Sequence, residues 1–431
     1  MTDIVLTYPD CNVSFLSSIP VLMSYLKRHG VDVVYSESPV TAVRDLNPRF
    51  VGVSIPFSYM ALKARHLILY LKHKFPLIKV IVGGVHPTVC PDDFRDIADY
   101  VCVGEGEQYL VDLIKDRDSS GCGFIDLDNV GLPDWDATGS KPFVTLPTGK
   151  KAVVYSGSRG CPFDCSFCSN HLISKKRVRY RSIDLFVSDV KELIDKYDTR
   201  VFEFRDETFT IHKKRVIDLC EKLKPLGIQF WCQTRVNLVD DEILGCMKQA
   251  GCIGLSFGIE SGNSKVLEQI NKCITLDEAE KGINLCKKHG LVTYCGFILG
   301  HPFDTVNSVD DTIRFADSLD PDYVGFSIMC PYPGSMAFDY VRKHGGLLTE
   351  DFSKYHTPNV VYQAPGLKGI DLHWLKDYAE TFFYSKRLRQ RYNQMVYRPG
   401  WKPKIHFLYL LFRFHLPFLF YKKDLKGVST L

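Results

Sequence analysis

Three cysteines lie close together near the middle of the chain, in the stretch Cys161-Pro-Phe-Asp-Cys165-Ser-Phe-Cys168. Their C-x3-C-x2-C spacing places three soft thiolate ligands on one short loop, which can hold zinc or an iron–sulfur cluster. A structural zinc site needs four closed ligands, commonly from two CxxC pairs, and no second pair follows here. The spacing therefore favours a [4Fe–4S] cluster in which three irons take thiolates and the fourth is open to another ligand.

The residues around these cysteines support the cluster interpretation. Phe167 directly precedes the last cysteine, and C-x3-C-x2-C with that aromatic residue resembles the signature of radical S-adenosylmethionine (SAM) enzymes. The resemblance implies that Cys161, Cys165 and Cys168 bind the cluster, that SAM chelates the open iron and that Phe167 lies beside SAM. One electron from the cluster would then cleave SAM to a 5′-deoxyadenosyl radical. A three-cysteine zinc site or a chance group of buried thiols is the alternative.

The composition is that of a large folded protein in a reducing compartment. The chain has 431 residues, 45% of them hydrophobic, and this length predicts about two to three domains. Most of its fifteen cysteines are scattered outside the cluster loop. The chain begins with a strand pattern rather than a signal peptide, so we expect reduced thiols and a cytoplasmic protein.

Residues 1–130 predict an α/β domain. Short apolar runs that begin near residues 4, 31, 50, 80 and 100 alternate with helical stretches. This pattern predicts a Rossmann-like parallel sheet with helices on both faces. Such sheets bind ligands beyond the carboxyl ends of their strands. A dinucleotide site is disfavoured, because no G-x-G-x-x-G follows a strand.

Two loops of this domain, Gly83-Gly-Val-His-Pro-Thr88 and Gly104-Glu-Gly-Glu107, resemble those of the cobalamin-binding domain that precedes many radical SAM barrels. The chain has no Asp-x-His-x-x-Gly after the first strand, so the resemblance implies base-off cobalamin without a protein imidazole on cobalt. His86 could ligate cobalt, but a role in structuring its loop or contacting the corrin is favoured. A domain that binds nothing is the alternative. The resemblance implies cobalamin contacts by Tyr8, Ser54, Gly83, Gly84, His86, Thr88, Gly104, Glu105, Gly106 and Glu107.

Residues 131–150 are rich in glycine, proline and polar residues and predict a linker. Residues 151–345 then contain six apolar runs separated by helical patterns. This number is short of the eight strands of a full barrel and matches the partial (β/α)6 barrel of radical SAM enzymes. Chemistry in such barrels lies at the carboxyl ends of the strands.

Polar residues at these strand ends match motifs of the same family. Asp206 and Glu207 follow the second strand, where an acid is expected near the SAM amino group. Arg235 follows the third strand and could pair with the SAM carboxylate through two hydrogen bonds. The G-I-E-S-G and G-x-x-x-G-x-P motifs end the next two strands, and the resemblance places them by the ribose, methionyl and adenine parts. The predicted SAM contacts are Phe167, Asp206, Glu207, Arg235, Glu260, Ser261 and Gly300.

Residues 346–431 predict a mainly helical segment, with a helix from Leu372 to Gln390. Between residues 384 and 427 there are eleven Lys and Arg residues and one acid. The apolar stretch 405–421 contains Arg413 and Pro417, which makes it too short and too charged for a confident membrane span. Peripheral contact with anionic lipid through 384–427, or a helix that caps the barrel mouth, fits the pattern better than a nucleic-acid partner.

Together these features predict a cobalamin-dependent radical SAM enzyme that methylates an unactivated carbon. Its expected cofactors are a [4Fe–4S] cluster, SAM and cobalamin. Its expected partners are a small-molecule or lipid substrate and an external one-electron reductant, with no nucleic acid. A radical SAM cyclase, ring-rearranging enzyme or epimerase, with or without cobalamin, is a second interpretation. A non-catalytic iron–sulfur protein that associates with membranes is a third.

Overall fold

The protein is described here by a computed structural model that covers residues 2–10, 17–117, 123–356 and 359–396. Two largely parallel sheets, one in each half of the chain, and one small two-stranded hairpin make up its β-structure. The α/β fold class predicted from the sequence is confirmed.

The N-terminal domain is a parallel sheet covered by helices. Its strands are β1 (Ile4–Thr7), β2 (Val33–Tyr35), β3 (Phe50–Ser54), β4 (Lys79–Gly83) and β5 (Tyr100–Val101). Its helices are α1 (Ser18–Arg28), α2 (Pro39–Leu46), α3 (Ala61–Lys74), α4 (Val85–Val89) and α5 (Gly106–Ile114). The sheet order is β2-β1-β3-β4-β5. β1 and β3 are buried along their whole length, as continuous apolar strands covered on both faces should be.

The strand order of this sheet locates its binding edge. The chain direction across the sheet reverses between β1 and β3, and open α/β sheets bind ligands in the crevice at that point, beyond the carboxyl ends of the strands. Tyr8 and Ser54 stand at these two ends. The domain is thus built to present the loops that the sequence singled out.

The second domain is a half-barrel that carries a separate hairpin. Its strands are β6 (Phe143–Thr145), β7 (Lys151–Tyr155), β8 (Ser158–Arg159), β9 (Arg179–Tyr180), β10 (Val201–Phe204), β11 (Gln229–Thr234), β12 (Cys252–Glu260), β13 (Val292–Leu299) and β14 (Tyr323–Ile328). Its helices are α6 (Asn170–Ser174), α7 (Ile183–Tyr197), α8 (Lys213–Leu223), α9 (Asp241–Gln249), α10 (Ser264–Gln269), α11 (Leu276–Lys288), α12 (Val306–Leu319) and α13 (Met336–His344).

The sheet order β14-β13-β12-β11-β10-β7-β6 confirms the six predicted parallel strands and corrects one boundary. β6 lies inside the predicted linker 131–150 and pairs antiparallel with β7. The linker prediction was therefore incomplete, because a strand of three residues among glycines and prolines gives little periodic signal. Strands β8 and β9 pair with each other outside this sheet and bracket the cluster loop.

Alternating burial along β12 and β13 shows how the half-barrel is packed. Phe257 and Phe297 belong to the large core of the half-barrel, while Ile253, Val292 and Tyr294 pack around Trp231 in a second, smaller cluster. Capping boxes at Thr275 and Thr305 begin α11 and α12. The carboxyl ends of the six parallel strands consequently meet at one edge, where the predicted site residues lie.

The C-terminal part of the described chain is a long helix, α14 (Leu372–Val396), which confirms the predicted helical segment and extends it. The Tyr384 hydroxyl donates to the Val324 carbonyl at 2.8 Å and accepts from its amide at 3.1 Å, which fixes α14 along β14. Residues 397–431, most of the basic segment 384–427, lie outside the described residues. Among the helices that are described, none has the length and apolarity needed to cross a bilayer.

Candidate cluster and cofactor site

The three cysteines lie on the loop between β8 and β9. Cys165 is buried, Cys161 is half-buried and Cys168 is exposed. Although Cys168 is exposed as a residue, its thiol is packed within the loop; this local burial raises the pKa of the thiol, and the neighbouring Cys165 and Cys161 raise it further. Iron bound at this loop would take the thiolate forms and so offset this cost.

The donors around the sulfurs fit an iron–sulfur site. The Asn170 amide donates to Cys168 Sγ at 3.4 Å, and Arg235 Nη1 donates to Cys165 Sγ at 3.4 Å. The loop backbone is pinned on both sides, because the Ser166 amide donates to the Ile270 carbonyl and its own carbonyl accepts from the Ala337 amide, each at 2.8 Å. Thiolates that accept N–H bonds on a fixed loop are the arrangement that iron–sulfur clusters use.

Asp206 and Glu207 follow β10 and hold the start of the cluster loop. Glu207 Oε2 accepts from the Gly160 amide at 3.1 Å. Burial raises the pKa of Asp206 to about 6, although hydrogen bonds from Ser158 and the Gly157 amide act against it. Asp206 Oδ2 is buried and accepts no hydrogen bond from any described residue. The Asp206 Oδ2 atom is thus available to accept from a cationic ligand, whereas the Glu207 carboxylate already accepts from the protein backbone.

Arg235, predicted to pair with the SAM carboxylate, is folded into the cluster loop. Its guanidinium lies 3.8 Å from the centroid of the Phe163 ring. Besides its bond to Cys165, it donates to the carbonyls of Lys272 and Cys273. Of the three guanidinium nitrogens of Arg235, only Nε is buried without a hydrogen-bond partner among the described residues. The observed contacts thus make Arg235 a cation beside a cluster thiol.

Glu260 and Ser261 end β12, as predicted. Glu260 has a left-handed φ of +75°, a strained conformation that is common at functional sites. Its Oε1 forms a buried ion pair with Lys272 Nζ at 2.9 Å. Ser261 is also buried, and its hydroxyl lies 3.1 Å from Thr312 Oγ1 and accepts from the Asn263 amide at 3.1 Å. Ser261 therefore shapes the turn, while one Glu260 oxygen is oriented by a lysine.

Gly300 and the residue after it form the corresponding turn beyond β13. Gly300 has φ +91°, and its amide and that of His301 donate to Asp304 Oδ2 at 2.9 and 2.8 Å. The His301 ring is fully buried and lies 5.8 Å from the Phe167 ring, between centroids. Burial, with the nearby Lys272 charge, lowers the pKa of His301 to about 3, so the ring is neutral.

Neither nitrogen of the His301 ring has a hydrogen-bond partner among the described residues, which is unusual for a buried imidazole. The Glu260 carbonyl is near enough to favour the protonated ring. No hydrogen bond of acceptable geometry reaches either nitrogen within the part of the chain described. Buried polar groups are normally satisfied, so this ring is suited to a polar ligand. Sequence reasoning missed both His301 and Lys272. The G-x-x-x-G-x-P turn could have pointed to the first, but nothing in the sequence marks the second.

At the binding edge of the N-terminal sheet, hydroxyl groups connect the ends of β1 and β3. Tyr8 Oη and Ser18 Oγ are 3.0 Å apart, and Ser18 Oγ is 3.3 Å from Ser54 Oγ. The Ile19 amide donates to Tyr8 Oη at 3.0 Å. Burial raises the pKa of Tyr8, so its phenol is protonated at neutral pH. The structure thus brings Tyr8 and Ser54 together at the predicted crevice.

The loop after β4 approaches the backbone of its neighbour closely. Gly84 has φ +107°, and a Cβ there would lie 2.8 Å from the Ile55 carbonyl oxygen. Thr88 Oγ1 donates to the Gly84 carbonyl at 2.7 Å and accepts from the Gly104 amide at 3.1 Å. Gly83, which ends β4, pairs with Ser54 in the sheet. These predicted cobalamin contacts therefore lie on adjacent loops, with the Thr88 side chain holding two of them together.

His86 is fully buried on α4 and both its nitrogens are engaged. Nδ1 lies 3.0 Å from Ser58 Oγ, and Nε2 lies 3.0 Å from Asp93 Oδ2. The ring also meets the Phe94 and Phe352 rings edge-on. These contacts tie α4 to its neighbours, and the role of His86 in structuring its loop or contacting the corrin, rather than ligating cobalt, stays a prediction.

The turn Gly104-Glu-Gly-Glu107 leads into α5, and its two carboxylates contact the second domain. Glu105 pairs with both Arg159 and Arg179, and Glu107 pairs with Arg159. Gly106 is the first residue of the helix and packs beside α1. Both predicted corrin contacts, Glu105 and Glu107, are thus held by arginines that flank the cluster loop.

The cysteine loop lies beside the half-barrel, and the glycine-rich crevice lies at the carboxyl ends of the N-terminal strands. Together they define an iron–sulfur enzyme with two cofactor domains. Residues 155–316 match the radical SAM superfamily, and residues 17–114 match the B12 binding domain. An uncharacterized methyltransferase of Pyrococcus horikoshii is 32% identical over 386 residues, which cover 83% of this chain and 80% of the relative. The chain therefore belongs to the cobalamin-dependent radical SAM family, and its cofactors are a [4Fe–4S] cluster, SAM and cobalamin.

Two further comparisons agree with this assignment. An anaerobic magnesium-protoporphyrin IX monomethyl ester cyclase of Rubrivivax gelatinosus is 28% identical over 418 residues, covering 86% of this chain and 74% of the relative. The solved structure of TsrM, a radical SAM methyltransferase of Kitasatospora setae with cobalamin and a [4Fe–4S] cluster bound, aligns with a TM-score of 0.66. It is 16% identical, and the alignment covers 89% of this chain and 91% of that one. This likeness concerns the fold.

Proposed function

We propose that this enzyme transfers a methyl group from SAM to an unactivated carbon of a small, largely apolar substrate. The observation that carries the proposal is the direct contact between the two cofactor domains at the cluster loop. Arg159 stands two residues before Cys161 and forms ion pairs with the turn that follows β5 of the cobalamin domain. Two cofactor domains in contact at the cluster loop suit a reaction in which both cofactors act on one substrate.

The bound cofactors supply radical formation from SAM and a carrier for the methyl group; the protein orients them and excludes competing reactions. Cys161, Cys165 and Cys168 would hold the cluster. The Arg235 guanidinium donates a hydrogen bond to Cys165 Sγ and would orient this sulfur toward the cluster. Glu207 fixes the Gly160 backbone and with it the first cysteine.

Unpartnered polar atoms around the cluster loop support SAM binding there. Asp206 Oδ2 would accept from the SAM amino group, and Arg235 Nε would donate to its carboxylate. Glu260, held at one oxygen by Lys272, would accept from the ribose hydroxyls. Phe167, Ser261 and Gly300 would line this space, and Glu207 would act through the loop backbone.

Cobalamin would occupy the crevice at the carboxyl edge of the N-terminal sheet. Gly83, Gly84 and Gly104 allow close approach of a flat ligand to the backbone, and Tyr8 and Ser54 present hydroxyl groups. His86 keeps both nitrogens engaged within the protein, which supports a corrin without an imidazole ligand from this chain.

The choice of an apolar substrate rests on a relative and on the C-terminal sequence. The Rubrivivax relative is named for a porphyrin ester, and residues 405–421 of this chain are apolar and aromatic. Peripheral contact of 384–427 with anionic lipid would bring the enzyme to such substrates. An external one-electron donor would reduce the cluster. The same relative also supports a second candidate, oxidative cyclisation with the same cofactors.

Labelled SAM distinguishes the two reactions. The full chain would be reconstituted anaerobically and incubated with trideuteromethyl SAM, a reductant and magnesium protoporphyrin monomethyl ester or an apolar cell extract. Methylation predicts a product that is heavier by one trideuteromethyl group and absent with the Cys165→Ala variant. A product that has lost hydrogen but carries no label would contradict methylation and favour cyclisation.

A further inference from the structure

The two ends of the cluster loop are joined to the cobalamin domain by one group of four charged residues. Arg159 and Arg179 are directly opposite each other in the β8–β9 hairpin. Glu105 accepts from Arg159 Nη1 at 3.1 Å and from Arg179 Nη1 at 3.0 Å. Glu107 accepts from Arg159 Nη2 at 2.7 Å. Both glutamates belong to the turn that follows β5, whereas both arginines belong to the half-barrel.

These contacts are largely removed from water. The side chain of Glu107 is 6% exposed and that of Glu105 is 13% exposed, against 30% for Arg159 and 20% for Arg179. Burial acts to raise the pKa of Glu105, but the Arg179 hydrogen bond, the Arg159 charge and the Ile125 amide outweigh it and lower that pKa. The fold therefore stabilises the ionised form of Glu105. These partly buried ion pairs should contribute more to stability than exposed surface pairs do.

The three residues that connect the Glu105 ion pair to the cluster, Arg159, Gly160 and Cys161, have little conformational freedom. Arg159 is followed by Gly160 and then Cys161. Gly160 has φ +100°, its amide is held by Glu207, and a Cβ there would overlap the Arg177 carbonyl. A displacement of Arg159 must therefore shift Cys161.

A second contact joins the far side of the loop to the same domain. Leu172, on the short helix α6 after the third cysteine, and Val89, on α4 of the cobalamin domain, both lie against Gly334. A Cβ on Gly334 would lie 2.7 Å from Val89 Cβ and 3.3 Å from Leu172 Cδ1. The loop is consequently held to the cobalamin domain at two places on either side of the cysteines.

We propose that Glu105, assisted by Glu107, is a positioning residue that sets the separation of the cluster and the corrin, because it forms ion pairs with both ends of the cluster loop. The role differs from the direct corrin contact predicted from the sequence, and it rests on the proposed two-cofactor function. A fixed separation matters because reactions between bound groups lose rate steeply when one is displaced by about 1 Å.

The test compares three full-length variants with the wild type. Glu105→Gln removes the charge and keeps the shape, and Glu105→Asp keeps the charge on a shorter side chain. Asp116→Asn makes the same charge change in the exposed Arg49–Asp116 pair of the same domain and serves as the control. If Glu105→Gln does not fold, Arg179→Lys keeps the charge but cannot reproduce the paired contacts of the guanidinium with Glu105.

The first readout is hydrogen exchange of residues 158–180 in protein without cofactors. We expect exchange about tenfold faster in Glu105→Gln, an intermediate rate in Glu105→Asp and no change in the control. Equal exchange rates in Glu105→Gln and the control would show that the Glu105 ion pairs do not hold the loop, and would overturn the proposal.

The second readout is the electron paramagnetic resonance signal of Co(II) corrin with the cluster reduced, because the cluster speeds cobalt spin relaxation in a strongly distance-dependent way. We expect this effect to weaken in Glu105→Gln and to be partly restored in Glu105→Asp, at unchanged iron and corrin content. Faster exchange with unaltered spin relaxation would reduce the four residues to an interface contact and refute the positioning role. Failure of the wild type to bind corrin would instead contradict the proposed function itself.

Discussion

Replacing Lys272 with methionine removes the partner of a buried carboxylate beside the proposed SAM site. The Glu260–Lys272 ion pair is 2.9 Å long, with side chains 12% and 7% exposed. At this separation Coulomb's law gives about 6 kcal/mol for an effective dielectric constant of about 20. Desolvation offsets much of that attraction, and breaking a buried pair at one member costs about 3–5 kcal/mol. We expect Lys272→Met and Glu260→Gln each to destabilise the half-barrel by about this amount.

The double variant separates the ion pair from the packing of its side chains. Glu260→Gln with Lys272→Met leaves no unpaired charge and roughly preserves volume, so it should cost less than either single change. The assay is urea unfolding of the full chain, followed through hydrogen exchange of the amides in β12 and β13. The exposed Lys288–Asp241 pair provides a control in which we expect far smaller coupling. Additive costs at Glu260 and Lys272 would refute the reasoning.

Three further changes test separate parts of the site. His301→Leu should keep the unfolding free energy of the cofactor-free protein within about 1 kcal/mol, because the ring nitrogens have no hydrogen-bond partner among the described residues. The same change should weaken SAM binding about tenfold in equilibrium dialysis; an unchanged SAM affinity would remove His301 from the site. Folding raises the pKa of Asp206 from 3.8 to about 6, so the wild type loses the stability that the protonated carboxyl contributes as pH rises from about 4 to about 6. The Asp206→Asn variant does not titrate there, so its unfolding free energy in urea should increase by about 3 kcal/mol relative to that of the wild type across this pH range. Parallel pH profiles of the two proteins would contradict this. Gly84→Ala should lose corrin, measured by its visible band, at normal iron content, because the new Cβ would lie 2.8 Å from the Ile55 carbonyl oxygen; normal corrin binding would place cobalamin elsewhere.

Local patterns were sufficient to predict the parts of the fold that depend on short-range sequence. The spacing of Cys161, Cys165 and Cys168 predicted one loop, and the apolar runs predicted both parallel sheets. Strand β6 was missed, since its three residues do not form a recognisable period. The helix beginning at Leu372 was predicted from its apolar residues interleaved with aromatics.

The partners of the charged site residues could not be predicted, because they come from distant parts of the chain. The motif that contains Glu105 suggested a ligand contact, but its arginines lie 54 and 74 residues away. Arg235 similarly finds Cys165 across 70 residues of sequence. Which charge meets which is decided by how the loops pack, and residue type and spacing do not contain that information.

The central claim is that one chain holds a SAM-cleaving cluster and a corrin. The most direct measurement is anaerobic reconstitution of the wild type and Cys165→Ala with iron, sulfide and hydroxocobalamin, followed by a visible spectrum and an assay for 5′-deoxyadenosine. We expect a corrin band in both proteins and SAM cleavage in the wild type alone. SAM cleavage by a wild type that binds no corrin, or equal cleavage by Cys165→Ala, would contradict the claim.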